Sequence, residues 1–294
     1  MNAIEIKGVT RKQGEFFRLR CDELILPGGC IMGLIGKNNV GKSTLIHILL
    51  GMIRKDSGTV SLLGLGDAAE NKEILEQVGV VLDNASSIPG AIKVTQVNGL
   101  MRGIYKNWDS EAFAQYLTRF QIPHHPKSRV GHLSRGTLVK LNIAIALSHG
   151  AKLLILDEAT NGLDALVRDE VIDILMEFTR GEDHSVLISS HMIGDLEKIC
   201  DYVAFLRKGE LVMCEEKDRL LERYCQIRTS VEQLAKIPAQ YVLGKRENAF
   251  GVEAVIGYLV AKEIEFTAVR IIMSSRMAGI TGDTIRERLR EAYV

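Results

Sequence analysis

The sequence predicts an α/β protein with a mostly parallel core sheet, and three stretches carry that prediction. LLILDE (153–158) and SVLISSH (185–191) are short apolar runs, each long enough for a strand buried on both faces. Between them, ALVRDEVIDILMEFTR reads as an amphipathic helix, so strand, helix and strand imply a right-handed crossover and a parallel pair. The third stretch, IMGLIGKNNVGKSTLIHILLGM, sets an apolar strand, a glycine-bearing loop and a helix in succession.

Taken in order, the first 65 residues suggest strands and tight turns, with alternation in IEIKGV and an apolar run in CIMGLIG. From about Asn84 to Gly150 the pattern is mainly helical. In NWDSEAFAQYLTRF, Asp109 is placed to cap a helix, and Trp108 and Phe113 occupy the two positions of a hydrophobic staple. Phe113, Leu117 and Phe120 follow at helical spacing. The strand–helix–strand unit comes next. After about Glu215 the style changes: strand-like QYVLGK and IEFTAV flank an expected helix with an apolar face of Val252, Val255, Ile256, Leu259 and Val260. A short charged helix, DTIRERLREAY, closes the chain. The expected organisation is therefore a main domain over 1–215, with a helical subdomain at about 84–150, and a small α+β appendage over 216–294.

The totals bound the function. A chain of 294 residues with 46% apolar side chains has room for a sizeable core. Lys plus Arg and Asp plus Glu are both 37, which argues against a broadly basic nucleic-acid surface. The N-terminal stretch lacks a signal-peptide core, and no apolar run approaches the roughly 20 residues that span a bilayer. Five cysteines (21, 30, 200, 214 and 225) form no CxxC pair, and read as ordinary thiols of a cytosolic protein.

Gly36-Lys37-Asn38-Asn39-Val40-Gly41-Lys42-Ser43, followed by Thr44, fits GxxxxGK[ST] between a strand and a helix. Glycines at those places let backbone N–H groups turn inward around phosphate oxygens. Lys42 is placed to reach the β and γ phosphates, and the Ser43 hydroxyl to ligate Mg²⁺. Asp157 ends the strand LLILD where a carboxylate would hold the same metal ion. Glu158 follows it where a carboxylate would polarise an attacking water. A solvated acidic pair at a strand end is the plainer reading, and four aliphatic residues running straight into Asp-Glu weaken it. These residues point to hydrolysis of a nucleoside triphosphate. A second anion site is legible in HLSRGTLVKL, where Ser134, Arg135 and Gly136 stand before a helix start.

The set resembles the ATP-binding cassette (ABC) nucleotide-binding subunits, over roughly residues 1–215 and in the family's order. LSRGT (133–137) resembles the ABC signature, NGLD (161–164) with Asp164 the D-loop, and His191 the switch histidine. Without that context, His191 reads equally as a surface or core histidine. The resemblance implies ATP and Mg²⁺ as cofactors and a head-to-tail pair of cassettes. In that pair Ser134, Arg135 and Gly136 grip the γ-phosphate held by the partner's P-loop, with Asp164 at the same junction. The second cassette is either another copy or a related chain.

Three positions depart from the family pattern. Asn39 replaces a common glycine, and asparagine tolerates left-handed backbone angles. Asp83 stands where the family has a glutamine, and is read as a metal contact through water. Gln13 occupies the place of the adenine-stacking aromatic, which leaves Gln13, Phe16 and Phe17 as candidates. The Arg of LSRGT, the acidic residue at 83 and the short C-terminal extension resemble bacterial cassettes serving ABC-2-type exporters. By that resemblance the chain drives substrate movement, in the export direction, by a separate polytopic membrane subunit, and sits at the cytoplasmic face of the membrane. The stretch MRGIYKNW (101–108) is the expected docking surface for that subunit, unless Tyr105 and Trp108 simply pack the helical subdomain. The alternative function is a soluble ABC ATPase acting on ribosomes or DNA. One cassette, no heptads and balanced charge place it second, and a P-loop kinase or GTPase leaves LSRGT and His191 unexplained.

Overall fold

Continuous apolar runs become the centre of a sheet. In the computed structural model, which describes residues 1–14, 17–82, 88–181, 183–191, 193–229, 234, 242–248 and 251–257, nine strands form one mixed sheet. Strands β3 (Ile31–Ile35), β6 (Leu153–Asp157) and β7 (Ser185–Ser190) are buried at every position, as strands covered on both faces must be. They lie parallel in the order β3-β7-β6, extended by β5 (Val78–Val81) beyond β6 and β8 (Tyr202–Arg207) beyond β3. The register sets Ser189 of β7 opposite Leu34 on one side and Asp157 on the other.

The other half of the sheet is largely antiparallel. β1 (Asn2–Gln13) pairs with β2 (Phe17–Pro27) and β4 (Ser57–Leu62), and β9 (Glu210–Glu216) folds back on β8. The alternation in IEIKGV buries Ile4, Ile6 and Val9, while Lys7 faces solvent. Helix α1 (Lys42–Leu49) follows β3. Helix α5 (Ala165–Phe178) makes the crossover between β6 and β7, burying Val171, Ile172, Ile174 and Leu175.

Three helices form the predicted helical region: α2 (Val94–Arg102), α3 (Ser110–Arg119) and α4 (Arg135–Ser148). Asp109 caps α3 by accepting from Glu111 N and Ala112 N, and the Trp108 and Phe113 rings meet at 5.1 Å as the staple requires. Phe113, Leu117 and Phe120 are buried. Helix α4 is buried nearly all round because it packs on both β5 and α3. The aromatic residues of 101–108 are packing residues. Tyr105 lies flat on the His149 ring at 4.0 Å, and Trp108 Nε1 donates to Asn98 Oδ1 at 2.8 Å. Apolar exposure falls instead on Ile104 and, one turn earlier, Leu100.

The chain divides into two units, Met1–Glu216 and Lys217–Val294. In the second, α6 (Lys217–Arg223) precedes a three-stranded antiparallel sheet of order β10-β12-β11, formed by β10 (Tyr224–Thr229), β11 (Val242–Asn248) and β12 (Gly251–Gly257). This corrects the sequence reading at 251–257, where a helix was expected. Val252, Val255 and Ile256 fit helical spacing, but they are β-branched and bracketed by Gly251 and Gly257, and the backbone follows the strand preference. IEFTAV, DTIRERLREAY, Leu259 and Val260 lie outside the described residues. Among the described residues no helix is long and apolar enough to cross a membrane.

Candidate functional site

Three loops meet at one edge of the sheet because three adjacent parallel strands end there. β3 runs into residues 36–41, β6 into residues 158–164 and β7 into His191, with β7 between the other two. Clefts for ligands form beyond the carboxyl ends of such strands.

The loop after β3 turns through two left-handed residues, Asn39 at φ 61° and Gly41 at φ 109°. Asparagine at 39 therefore does what the loop asks of it. A Cβ on Gly41 would stand 2.8 Å from the Phe17 ring, so both angle and space select glycine. Helix α1 begins with no side-chain cap at Gly41, and its first helical bond runs from Leu45 N to Gly41 O at 2.9 Å. The N–H groups of Lys42, Ser43 and Thr44 precede that bond, and they carry the positive end of the helix dipole. With Asn38, Asn39 and Gly41 they line a cleft of about 510 Å³, shared with Gln13, Phe17, Glu158 and Asn161.

Lys42 is only 4% exposed. Its ammonium donates to Gly36 O at 2.8 Å and Lys37 O at 3.1 Å, and pairs with Glu158 Oε1 at 2.9 Å. Val40 holds the loop from outside the cleft, its carbonyl accepting from Gly209 N at 3.1 Å. Glu158 itself sits at φ 50°, an unfavourable angle for a residue with a side chain, costing on the order of 1–3 kcal/mol. Its N–H is held by Ser189, through Oγ at 3.0 Å and the main-chain oxygen at 3.2 Å.

The Glu158 carboxylate collects three donors. Besides Lys42, His191 Nδ1 lies 2.8 Å and Asn161 Nδ2 2.7 Å from Oε2. Burial pushes the Glu158 carboxyl up, and the hydrogen bonds from Lys42 and His191 outweigh it, leaving the group below the ordinary carboxylate range. An ionised carboxylate only accepts, so the His191 proton resides on Nδ1. Asp157, 3% exposed, accepts from Ser189 Oγ at 2.5 Å.

Lys42, Glu158 and His191 thus form one connected network, with Asp157 tied to it through Ser189. Sequence reading missed Ser189 and Asn161 as parts of it. A serine inside a wholly buried strand is the signal for the first, because a buried hydroxyl must find a partner. Asn161 stands three residues beyond Glu158 in the turn, close enough to reach back. Of the three adenine candidates, Gln13 and Phe17 line the cleft. Phe16 and Asp83 lie outside the described residues.

Ser134, Arg135, Gly136 and Asp164 do not line that cleft. Ser134 caps α4, accepting from Thr137 N at 3.2 Å and sharing a hydroxyl hydrogen bond with Thr137 at 2.8 Å. Asp164 caps α5, accepting from Val167 N at 3.0 Å. A Cβ on buried Gly136 would stand 2.5 Å from Val167 Cγ1, so glycine lets the two helix starts touch. LSRGT and NGLD, far apart in reading order, share one surface.

The cleft fits a triphosphate with magnesium. Successive N–H groups without helical partners and a buried ammonium suit phosphate; Ser43 on the cleft wall and buried Asp157, next to Glu158 at the end of β6, carry the hard oxygens that magnesium takes. Among the described residues no group of three or more His, Cys, Asp or Glu is set to hold a metal ion.

A family profile described as ABC transporter matches residues 20–161. The chain is 31% identical over 208 residues to the uncharacterized ABC transporter ATP-binding protein YdbJ of Bacillus subtilis (strain 168), over 71% of this chain and 67% of that protein. It is 33% identical over 201 residues to the bacitracin transport ATP-binding protein BcrA of Bacillus licheniformis, over 66% and 63%. Among solved structures, cbiO1 from Clostridium perfringens, part of the ABC transporter complex cbiONQ, is similar with a TM-score of 0.64 at 21% identity, over 75% of this chain and 90% of that one.

Proposed function

The chain belongs to the ABC transporter family as an ATP-hydrolysing subunit, and we propose that it works as one half of a head-to-tail pair of cassettes driving export by a separate membrane protein. The observation that carries this reading is the single hydrogen-bonded network joining Lys42, Glu158 and His191 at the mouth of the cleft.

In this reading the N–H groups of residues 41–44, with the loop from Gly36, cradle the ATP phosphates. Lys42 leaves Glu158 for the β and γ phosphates. That exchange removes the strongest donor from the Glu158 carboxylate, raises its basicity and frees it to take a proton from the attacking water. His191 and Asn161 keep the carboxylate aimed while this happens. Ser43 and Asp157 would hold magnesium, which would supply charge neutralisation at the phosphate oxygens. Gln13 and Phe17 flank the base.

Ser134, Arg135, Gly136 and Asp164 serve the partner's nucleotide. Their shared surface stands outside the chain's own cleft, which supports a role across an interface. The Ser134 oxygen accepts from Thr137 N and its hydroxyl shares a hydrogen bond with Thr137 Oγ1; with Thr137 as the donor in that bond, the Ser134 O–H is free to donate to a phosphate. The membrane subunit docks on the apolar exposure at Leu100 and Ile104, and holds the cassette at the cytoplasmic face. Export as the direction rests on the exporter-like LSRGT.

Glu158→Gln is the test. It keeps shape and removes the base, so turnover should fall by about 10²–10⁴-fold while ATP binding persists. Light scattering should then show the variant pairing only with Mg·ATP. Hydrolysis near the parent rate would remove Glu158 as the base. A single chain with ATP bound would remove the self-paired reading in favour of a related partner.

A further inference from the structure

We propose that Ser189 is the positioning residue that locks the two acidic groups of the site to each other. The proposal deepens the reading above, in which Asp157 serves the metal ion and Glu158 the water, and it rests on that reading.

The strand register creates the contact. β7 pairs with β6 so that Ser189 stands beside Asp157, and a slip by one residue would put Ile188 or Ser190 there with the opposite facing. One hydroxyl then makes two bonds of opposite sense. It donates to Asp157 Oδ1 at 2.5 Å and accepts the Glu158 N–H at 3.0 Å. A hydroxyl is the smallest group that donates and accepts at once, and alanine or valine at this place offers neither. All three residues are buried, with Ser189 at 0% exposure, so losing the hydroxyl leaves its two partners' bonds unmade inside the protein.

The bond to Oδ1 fixes the Asp157 rotamer and leaves its other oxygen for the metal ion, as outer partners of metal-binding carboxylates do. The bond from Glu158 N–H holds the main chain at φ 50°, the left-handed turn that brings the Glu158 side chain back toward Lys42 and His191. Without the hydroxyl, that N–H keeps only the longer main-chain contact at 3.2 Å. Metal affinity and carboxylate aim therefore depend on one side chain that touches neither substrate nor metal.

The test compares Ser189→Ala, Ser189→Cys and Ser189→Thr in the full chain, by nucleotide titration with and without magnesium, by steady-state kinetics and by thermal unfolding. Ser189→Ala should bind ATP without magnesium as the parent does. Its magnesium concentration for half-saturation should rise about 10–100-fold, and kcat should fall with KM for ATP little changed. Ser189→Thr retains the hydroxyl and should recover most of both. Ser189→Cys, close in size and a weak donor, should fall between, and replaces the alanine variant if that chain does not fold. An unchanged magnesium requirement in Ser189→Ala or Ser189→Cys would overturn the proposal. So would equal losses of metal-free ATP binding and melting temperature in the alanine and threonine variants, which mark a purely structural serine. Glu158→Gln separates the two levels: if it hydrolyses ATP normally the base assignment fails, whereas a dead Glu158→Gln beside a normal Ser189→Ala refutes only the role of Ser189.

Discussion

Two helix starts in this chain are proposed to face phosphate, and they are built differently. At α1 the cap is Gly41, which offers no side chain, and the first N–H groups open on a cleft that also holds the buried Lys42 ammonium. At α4 the cap is Ser134, whose oxygen already satisfies Thr137 N, and the helix start lies on a surface shared with the start of α5. The first is a grip completed within one chain. The second commits its Ser134 oxygen to Thr137 N and stands outside the chain's own cleft, so in the proposed reading it serves a phosphate brought by another body. The proposed head-to-tail pair accounts for that asymmetry.

The largest expected effect breaks the comparison if it fails. Lys42→Ala should weaken ATP binding by the isolated chain roughly 10–100-fold, the loss of about 1.5–3 kcal/mol for a charge-assisted hydrogen bond. Ser134→Ala should leave that affinity within about twofold and abolish ATP-dependent pairing. Calorimetric titration measures the first and light scattering the second. A Ser134→Ala chain that loses single-chain affinity as Lys42→Ala does would show that the two grips are not divided between chains.

The ion pair at α1 has a pH signature that α4 lacks. Burial raises the Glu158 carboxyl and the Lys42 and His191 hydrogen bonds more than offset it, so its folded pKa lies below the ordinary value of 4.5. A depressed carboxyl contributes stability that is present above the unfolded pKa and lost as pH falls through the folded one. Lys42→Ala removes the largest lowering contact, and the carboxyl should move up. The stability gap between parent and Lys42→Ala should accordingly be widest near pH 7 and close as the pH falls below 4.5. Urea unfolding at the two pH values reads this directly. A gap that widens on acidification would mean that Lys42 does not hold Glu158 ionised.

The contrast also explains what could be read in the letters. The P-loop and the Asp157–Glu158 pair are local: a few adjacent residues between a strand and a helix determine both geometry and chemistry, and the order of apolar runs dictates the parallel sheet. Ser189 is functional only through register, since it reaches Asp157 across a strand pair separated by 32 positions in sequence. The contact of Gly136 with Val167 is likewise a product of how α4 and α5 pack. The helix expected at 251–257 failed for a different reason: seven residues with three β-branched side chains satisfy both periods, and pairing on each flank decides in favour of the strand.

Capping strength gives the smallest and sharpest comparison, between α4 and α3. At α3 one Asp109 oxygen serves two N–H groups at 2.9 Å each, whereas Ser134 serves one at 3.2 Å. Asp109→Ala should therefore cost about 0.5–2 kcal/mol, with Ser134→Ala at or below the lower end of that range. For a unit of this size a loss of about 2 kcal/mol corresponds to a melting temperature lower by about 4–8 °C. Thermal unfolding of both variants without nucleotide separates the two duties of Ser134. A small thermal cost together with complete loss of ATP-dependent pairing assigns the hydroxyl to the partner's phosphate. A thermal cost as large as that of Asp109→Ala would make Ser134 chiefly a cap, and its effect on pairing a consequence of a loosened helix start.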